Sequence, residues 1–339
     1  MKLDQLDGIG NSSKRELCSL LDKKILYELE QNCRRSLNQI SKKVRASKQR
    51  VHYRIERLVK EGVITQFIAI LNVSKLGLLN YEVWIQLEQI TDKRKKEFLD
   101  YLINHKNTRW VASCGGKVDI AVAITAENIV QFDRIFKKII ETFTGIVKNY
   151  FVNTTVEYFT YPRTHIINEK ENREYSYLGG EPKKIELDEV EISILSILAR
   201  DARIGTVELA KKTNVSENTV RTKIRSLENN QVIQSYSAII QPKKLNLIHF
   251  EILATTQNIT KEKEKELETY CLLNPHVTYY LKLVGKFDID IAFDADSQEQ
   301  FQKHIVEFRS KFADIIKEFD FIYINYTHKF DYFAGYQKV

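Results

Sequence analysis

Ser47-Lys48-Gln49-Arg50-Val51-His52-Tyr53-Arg54-Ile55-Glu56-Arg57-Leu58 and Ser216-Glu217-Asn218-Thr219-Val220-Arg221-Thr222-Lys223-Ile224-Arg225-Ser226-Leu227 stand 169 positions apart and spell the same helix twice. Each opens on a serine, whose hydroxyl can accept from the unpaired N–H groups of a first helical turn. Each then places apolar side chains at i, i+4 and i+7: Val51, Ile55 and Leu58 in one, Val220, Ile224 and Leu227 in the other. The register extends outward from this pair without a gap. Residues 22–64 laid on 191–233 share 12 identities in 43 positions, where average residue usage gives about three. The same offset carries Lys75/Lys244, Leu76/Leu245 and Glu82/Glu251, then Gly116-Lys117-Val118-Asp119-Ile120 on Gly285-Lys286-Phe287-Asp288-Ile289. The chain is one unit written twice.

Two further helices precede each serine-led one. In copy one, Ile25, Leu26 and Leu29 form the face of a first helix; Ile40 and Val44, with Leu37 just before, mark a short second; Arg45-Ala46 breaks it. Copy two repeats this with Ile194, Leu195 and Leu198, then Leu209 and Thr213. Glu61-Gly62 ends the third helix, and a strand-like stretch, 63–71, follows. Three short helices, a tight turn and a strand are what a winged helix-turn-helix needs to hold its third helix in a major groove. The plainer alternative is a small helical bundle with a solvated charged face. Charge favours the reader: residues 22–64 hold 12 Lys/Arg against 5 Asp/Glu, a net of +7, the same as the whole chain of 339 residues. Lys42, Lys43, Arg45 and Lys48 gather at the turn, and Arg50, Arg54 and Arg57 form a stripe beside the apolar one. Such a cluster attracts phosphates. Base readout falls to Lys48, Gln49, Arg50, His52 and Tyr53 at the helix start, with the capping Ser47 counted in the DNA-binding set. The corresponding set in copy two is Ser216, Asn218, Thr219, Arg221, Thr222, Lys223 and Arg225, in a window of only 7 Lys/Arg against 5 Asp/Glu. The two readers are unequal.

Each copy continues with strand (81–87, 250–256), charged helix (92–104, 261–273), two strands flanking Gly116-Lys117 or Gly285-Lys286, helix (128–143, 297–312) and strand (146–156, 315–326). This β-α-β-β-α-β order is ferredoxin-like, a sheet with helices on one face. Its other face must be covered, and the second copy supplies the cover as an intrachain pseudo-dimer. The fold class is α+β. The expected organisation is an N-terminal tail 1–17, winged helix-turn-helix units 18–66 and 187–235, ferredoxin-like domains 67–162 and 236–339, and a polar linker 163–186 holding Gly179-Gly180 and Pro182.

Composition excludes several classes. With 43% hydrophobic and 29% charged residues, 12 Gly, 4 Pro and 4 Cys, the chain is neither disordered, collagenous nor a disulfide scaffold. No apolar run reaches the roughly 18 residues of a membrane helix, and Met1-Lys2-Leu3-Asp4-Gln5-Leu6-Asp7 lacks a signal-peptide core. A cytoplasmic protein without a membrane partner is expected. Cys18, Cys33, Cys114 and Cys271 are scattered, with no metal-ligand spacing, and read as buried apolar residues. Neither metal nor cofactor is expected. Gly115-Gly116-Lys117-Val118 is not a phosphate-binding loop, Gly8-Ile9-Gly10 lacks a third glycine, and no HExxH or GxSxG occurs. Of the seven His, only His52, His276 and His328 stand in contexts that sequence singles out.

With these features in place, the chain resembles the Lrp/AsnC family of transcriptional regulators. Copy two carries the pattern more clearly: Leu187-Asp188, Ile194-Leu195, Asp201-Ala202-Arg203, Glu208-Leu209-Ala210, Val215-Ser216, Thr219-Val220, Leu227-Glu228, Val232-Ile233 and Tyr236-Ser237-Ala238. The family's Gly-x-x-Asp turn is matched by Gly116…Asp119 and Gly285…Asp288. The resemblance implies duplex-DNA binding, further homo-oligomer assembly and a small amino-acid effector. It makes Gly116, Lys117, Asp119, Gly285, Lys286 and Asp288 the effector-site candidates, against the plain reading of a tight turn that needs glycine. Siroheme decarboxylases share the two-part architecture and are the alternative. Asn274-Pro275-His276-Val277-Thr278-Tyr279-Tyr280 echoes their sheet segment, but it runs into a regulator-type turn, and the basic helical part is retained.

Overall fold

The computed structural model describes residues 18–167 and 173–336; the expected tail 1–17, with Gly8 and Gly10, lies outside them. Copy one opens with α1 (Leu20–Asn32), α2 (Leu37–Val44) and α3 (Lys48–Lys60), followed by β1 (Ile64–Leu71). Ser19, Ser36 and Ser47 cap the three helices by accepting from the backbone N–H of Asp22, Gln39 and Arg50. The break after α2 is a left-handed residue, Arg45 with φ 52°, and in copy two Asn214 with φ 54°. Asparagine tolerates that region more readily than arginine. The apolar stripe of α3 is buried, as is its copy-two counterpart.

The rest of copy one comprises β2 (Leu79–Leu87), α4 (Asp92–Asn104), β3 (Thr108–Gly115), β4 (Ile120–Ala126), α5 (Ile129–Thr142) and β5 (Val147–Thr160). A short β6 (Ser176–Gly179) leads into copy two: α6 (Glu189–Leu198), α7 (Thr206–Thr213), α8 (Glu217–Asn229), β7 (Ile233–Ile240), β8 (Ile248–Thr256), α9 (Lys261–Leu273), β9 (Val277–Gly285), β10 (Ile289–Ala295), α10 (Gln298–Lys311) and β11 (Ile316–Phe330). Both final strands run four residues beyond the expected ends.

The strand after each helical unit pairs with its counterpart from the other copy. β1 and β7 form a two-stranded antiparallel ribbon with Ile68 opposite Ser237. Because 237 is 68 displaced by the repeat offset, a local pseudo-two-fold passes through that pair. Its signature is reciprocal. The Cys33 N–H donates to the Tyr236 carbonyl at 3.0 Å, and the Ala202 N–H to the Phe67 carbonyl at 2.8 Å. Arg34 lies over the Tyr236 ring and Arg203 over the Phe67 ring, each 5.3 Å from the centroid. Both arginines also donate to carbonyls of the opposite copy. The Arg34/Arg203 identity therefore holds the two helical units together.

Within each copy the four long strands run in ferredoxin-like order, β5-β2-β4-β3 and β11-β8-β10-β9. β11 also pairs with β3 and β5 with β9, so eight strands close into a ring. One face of each sheet packs on its own helices, through Val83, Ile85 and Phe98 in copy one and Phe250, Ile252 and Phe308 in copy two. The opposite faces meet around Trp84, Trp110, Leu253, Phe287 and Ile322 inside the ring. This is the mutual cover that a one-sided sheet requires.

The described parts of the segment expected as a linker, 163–167 and 173–186, are built into this body. β6 pairs with the end of β5. Arg163 is ion-paired to Glu30 and Asp294, and the Arg173 guanidinium donates to the carbonyls of Pro162, Leu272, Asn274 and Val277. The four cysteines are all buried.

Candidate nucleic-acid interface

The start of α3 is a platform for charged and polar side chains. Lys42, Lys43, Arg45, Ser47, Lys48, Gln49, Arg50, His52 and Tyr53 are exposed, Tyr53 by 64%. Lys42, Arg45, Lys48 and Arg50 make no ion pair among the described residues, whereas Lys43 reaches Glu28 at 3.3 Å. His52 faces Glu56 at 3.4 Å along the helix. The exposed turn thus offers cations to phosphates and an amide, an imidazole and a phenol to base edges.

The expected arginine stripe is divided. Arg50 points outward, but Arg54 and Arg57 reach back to the fully buried carboxylate of Asp22 on α1, at 3.1 and 2.8 Å. Asp22 also closes the capping box with Ser19. Arg54 and Arg57 therefore clamp the reading helix to its brace. The same correction holds for Lys223, the counterpart of Arg54, which pairs with Asp188 and with Glu191 at 3.4 Å. In copy two Asn218, Arg221, Thr222 and Arg225 are exposed and Thr219 is half-buried, with Ser216 spent as the α8 cap; Arg221 pairs along the helix with Glu217. Copy two presents a weaker positive surface.

The Gly-x-x-Asp turns are tight strand connections in both copies. The Asp119 carboxylate accepts from the Leu87 N–H at 2.9 Å, and that of Asp288 from the Thr256 N–H and hydroxyl at 2.6 and 3.0 Å. Both carboxylates thus brace the end of the first sheet strand. Lys117 is exposed and pairs with Asp320, while Lys286 lies 5.6 Å from the Phe287 ring centroid. The two glycines differ. A Cβ on Gly285 would stand 2.4 Å from the Val152 carbonyl oxygen, whereas on Gly116 its nearest neighbour would be at 3.9 Å. Gly116→Ala should cost only backbone strain, about 1 kcal/mol. Gly285→Ala should force apart the β5–β9 seam and cost about 3 kcal/mol or more. Thermal melts of the two variants side by side check this; equal shifts would refute it.

Sequence reasoning missed a buried polar centre that joins the helical units to the ring. Asp294 on β10 accepts from Arg163 at 2.7 Å and pairs with His249 at 2.7 Å, with His165 at 3.8 Å; Arg163 in turn holds Glu30 of α1. Burial alone would raise the Asp294 pKa, but Arg163, His249 and His165 together hold it well below the usual carboxylate range. Within the ring, Arg109 pairs with Glu82 at 3.0 Å. The recurrence of Glu82 as Glu251 was a signal for this pair; the Asp294 centre had none.

The family model for winged helix-turn-helix DNA-binding domains matches residues 19–65 and 187–234. An uncharacterized HTH-type transcriptional regulator of Pyrococcus furiosus is 30% identical over 122 residues, which is 36% of this chain and 80% of that protein. The HTH-type transcriptional regulator LrpA of Pyrococcus horikoshii is 38% identical over 82 residues, 24% of this chain and 55% of the relative. Among solved structures, the siroheme decarboxylase NirDL superposes with a TM-score of 0.59 over 94% of each chain at 13% identity, a likeness of fold. The likeness to HTH-type transcriptional regulators makes the two winged helix-turn-helix units on their closed α/β core those of a tandem transcriptional regulator. The chain belongs to the Lrp/AsnC family and carries that family's module twice. No helix among its described residues is long and apolar enough to cross a membrane.

Proposed function

We propose that the protein is a sequence-specific DNA-binding regulator in which copy one supplies most of the affinity and copy two adjusts orientation and specificity. The observation that carries this reading is the exposed cation cluster of Lys42, Arg45, Lys48 and Arg50 around the α2–α3 turn, unpaired among the described residues, which copy two reduces. Unequal readers fit an operator whose half-sites differ. A tenfold rise in salt should lower duplex affinity steeply, because phosphate binding releases counterions. Fluorescence anisotropy with duplexes selected from a random pool tests both points; flat salt dependence or no duplex binding would overturn the reading. The paired α/β domains serve assembly, and a small amino-acid-like effector at the Gly116 and Gly285 turns is the finer part of the proposal. Exposed Lys117 beside an open groove with Arg309 and Phe321 favours it, and calorimetry against the twenty amino acids tests it. The tandem fold shared with NirDL motivates one control: a Soret band on mixing with an iron tetrapyrrole would favour the enzyme reading.

A further inference from the structure

Between the β1–β7 ribbon and the mouth of the strand ring lies a cavity of about 240 Å³. Rings of Trp110, Tyr158, Tyr279, Tyr326 and Phe330 line it, with Arg109, Arg163, Glu82 and Asp290 among its charged walls. Its cations are largely engaged, one terminal nitrogen of Arg109 apart. Arg109 pairs with Glu82, donates to Asn80 at 2.9 Å and lies within 5.7 Å of three aromatic ring centroids. Arg163 is shared between Glu30 and Asp294.

One acidic pair lacks a cation. Glu251 is fully buried and Asp290 is 2% exposed. The Tyr279 hydroxyl donates to one oxygen of Glu251; its other oxygen, and Oδ1 of Asp290, receive no hydrogen bond from the described residues. The two copies differ here. Copy one sets Arg109 beside Glu82 and has Ala121 on the neighbouring strand; the corresponding positions of copy two are Thr278 and Asp290. Copy two has no guanidinium there and carries a second carboxyl. A buried carboxylate without a partner is unfavourable unless a cation or a proton meets it. Aromatic walls beside such a pair are suited to an organic cation.

We infer that this cavity is a binding site for a small organic amine, held as its ammonium ion against Asp290 of the lining, which Glu251 backs from behind, with the amine's carbon body on the surrounding rings. Without the amine, burial and then the neighbouring carboxylates push both acids well above the usual range, so the pair keeps a shared proton. Binding exchanges that proton for the ammonium group, and affinity rises with pH until the pair is ionised. The site is separate from the Gly116 and Gly285 turns. Its walls include Ile68 and Ser237, the pair on the pseudo-two-fold, so an occupant would sit beneath the ribbon joining the two helical units.

The test is calorimetry on the full chain with butylamine, putrescine and phenethylamine, and with butanol and phenylethanol as uncharged controls. The expected result is binding of at least one amine, no binding of the alcohols, and proton release seen as a buffer-dependent heat. Asp290→Ala, which restores the copy-one residue, and Glu251→Gln should each weaken the amine by about tenfold or more. Each removes a buried acid, so both should melt no lower than the parent. If no amine binds more tightly than its alcohol, or if both folded variants keep full affinity, the inference fails. It does not depend on DNA binding, which the same samples report separately.

Discussion

Replacing Lys42, Arg45, Lys48 and Arg50 together with alanine is expected to weaken duplex-DNA binding by about a hundredfold or more near 0.1 M salt and to flatten its salt dependence. Removing four cations that each neutralise a phosphate should lower the slope of log affinity against log salt by about 3 to 4. The physical reason is that these cations stand in solvent with no carboxylate of the described residues to neutralise them, so their charge is available to a polyanion. Replacing Arg221, Thr222 and Arg225 in copy two should weaken binding far less, since Arg221 is already engaged by Glu217. Arg54→Ala and Arg57→Ala should act differently. They uncover the buried Asp22 carboxylate and should lower the melting temperature of the first helical unit while leaving most of the salt slope intact. Anisotropy across a potassium chloride series, with thermal melts of each variant, separates the two effects. Equal losses of affinity from the copy-one and copy-two sets would overturn the unequal-reader model.

The second large effect is expected at Asp294. Asp294→Asn removes the charge that Arg163, His249 and His165 converge on, and leaves a buried guanidinium sharing only Glu30. Breaking a buried pair from one side costs about 3 to 5 kcal/mol, readable as a shift of the denaturant midpoint. The pH dependence has a definite sign. Because the native carboxyl titrates below its unfolded value, its contribution is present above the unfolded value and is lost as pH falls through the native one. The parent should therefore lose stability on acidification below about pH 4, and the Asn variant should lose less over that interval. A parallel acid titration of the two proteins, followed by circular dichroism, decides it; identical profiles would count against Asp294 as the hub.

Much of this architecture was legible because it is local and repeated. The serine caps of α3 and α8, the apolar spacing on those helices, and the alternation of strands and helices are set by near neighbours in the chain, and each appears twice. What escaped was long-range pairing. Nothing near Arg54 or Arg57 shows that their partner is Asp22, and nothing near Lys223 points to Asp188. A stripe of cations beside an apolar stripe looks the same whether it meets phosphate or a buried acid. The paired presence of an acid at 22 and 191 and a cation at 54 and 223 was the available clue. Residues 163–186 misled for a related reason: polarity and Gly179-Gly180 suggested a solvated connection, yet the distant Asp294 and the carbonyls around Asn274 anchor Arg163 and Arg173. Likewise the closure of β3 on β11 and β5 on β9 is a property of two copies together, which neither copy states alone.

The ring of strands has a consequence for how the protein meets its target at low abundance. In an assembly of separate single-module chains, dilution dissolves the pair before it weakens each head, so occupancy of a two-headed site falls with the square of concentration. Here the peptide chain and the β5–β9 and β11–β3 seams keep both heads in one particle at any dilution. A few molecules can therefore arrive with both heads already spaced. A substitution, moreover, alters one head only, so the second helix could shed its charge while the first kept it.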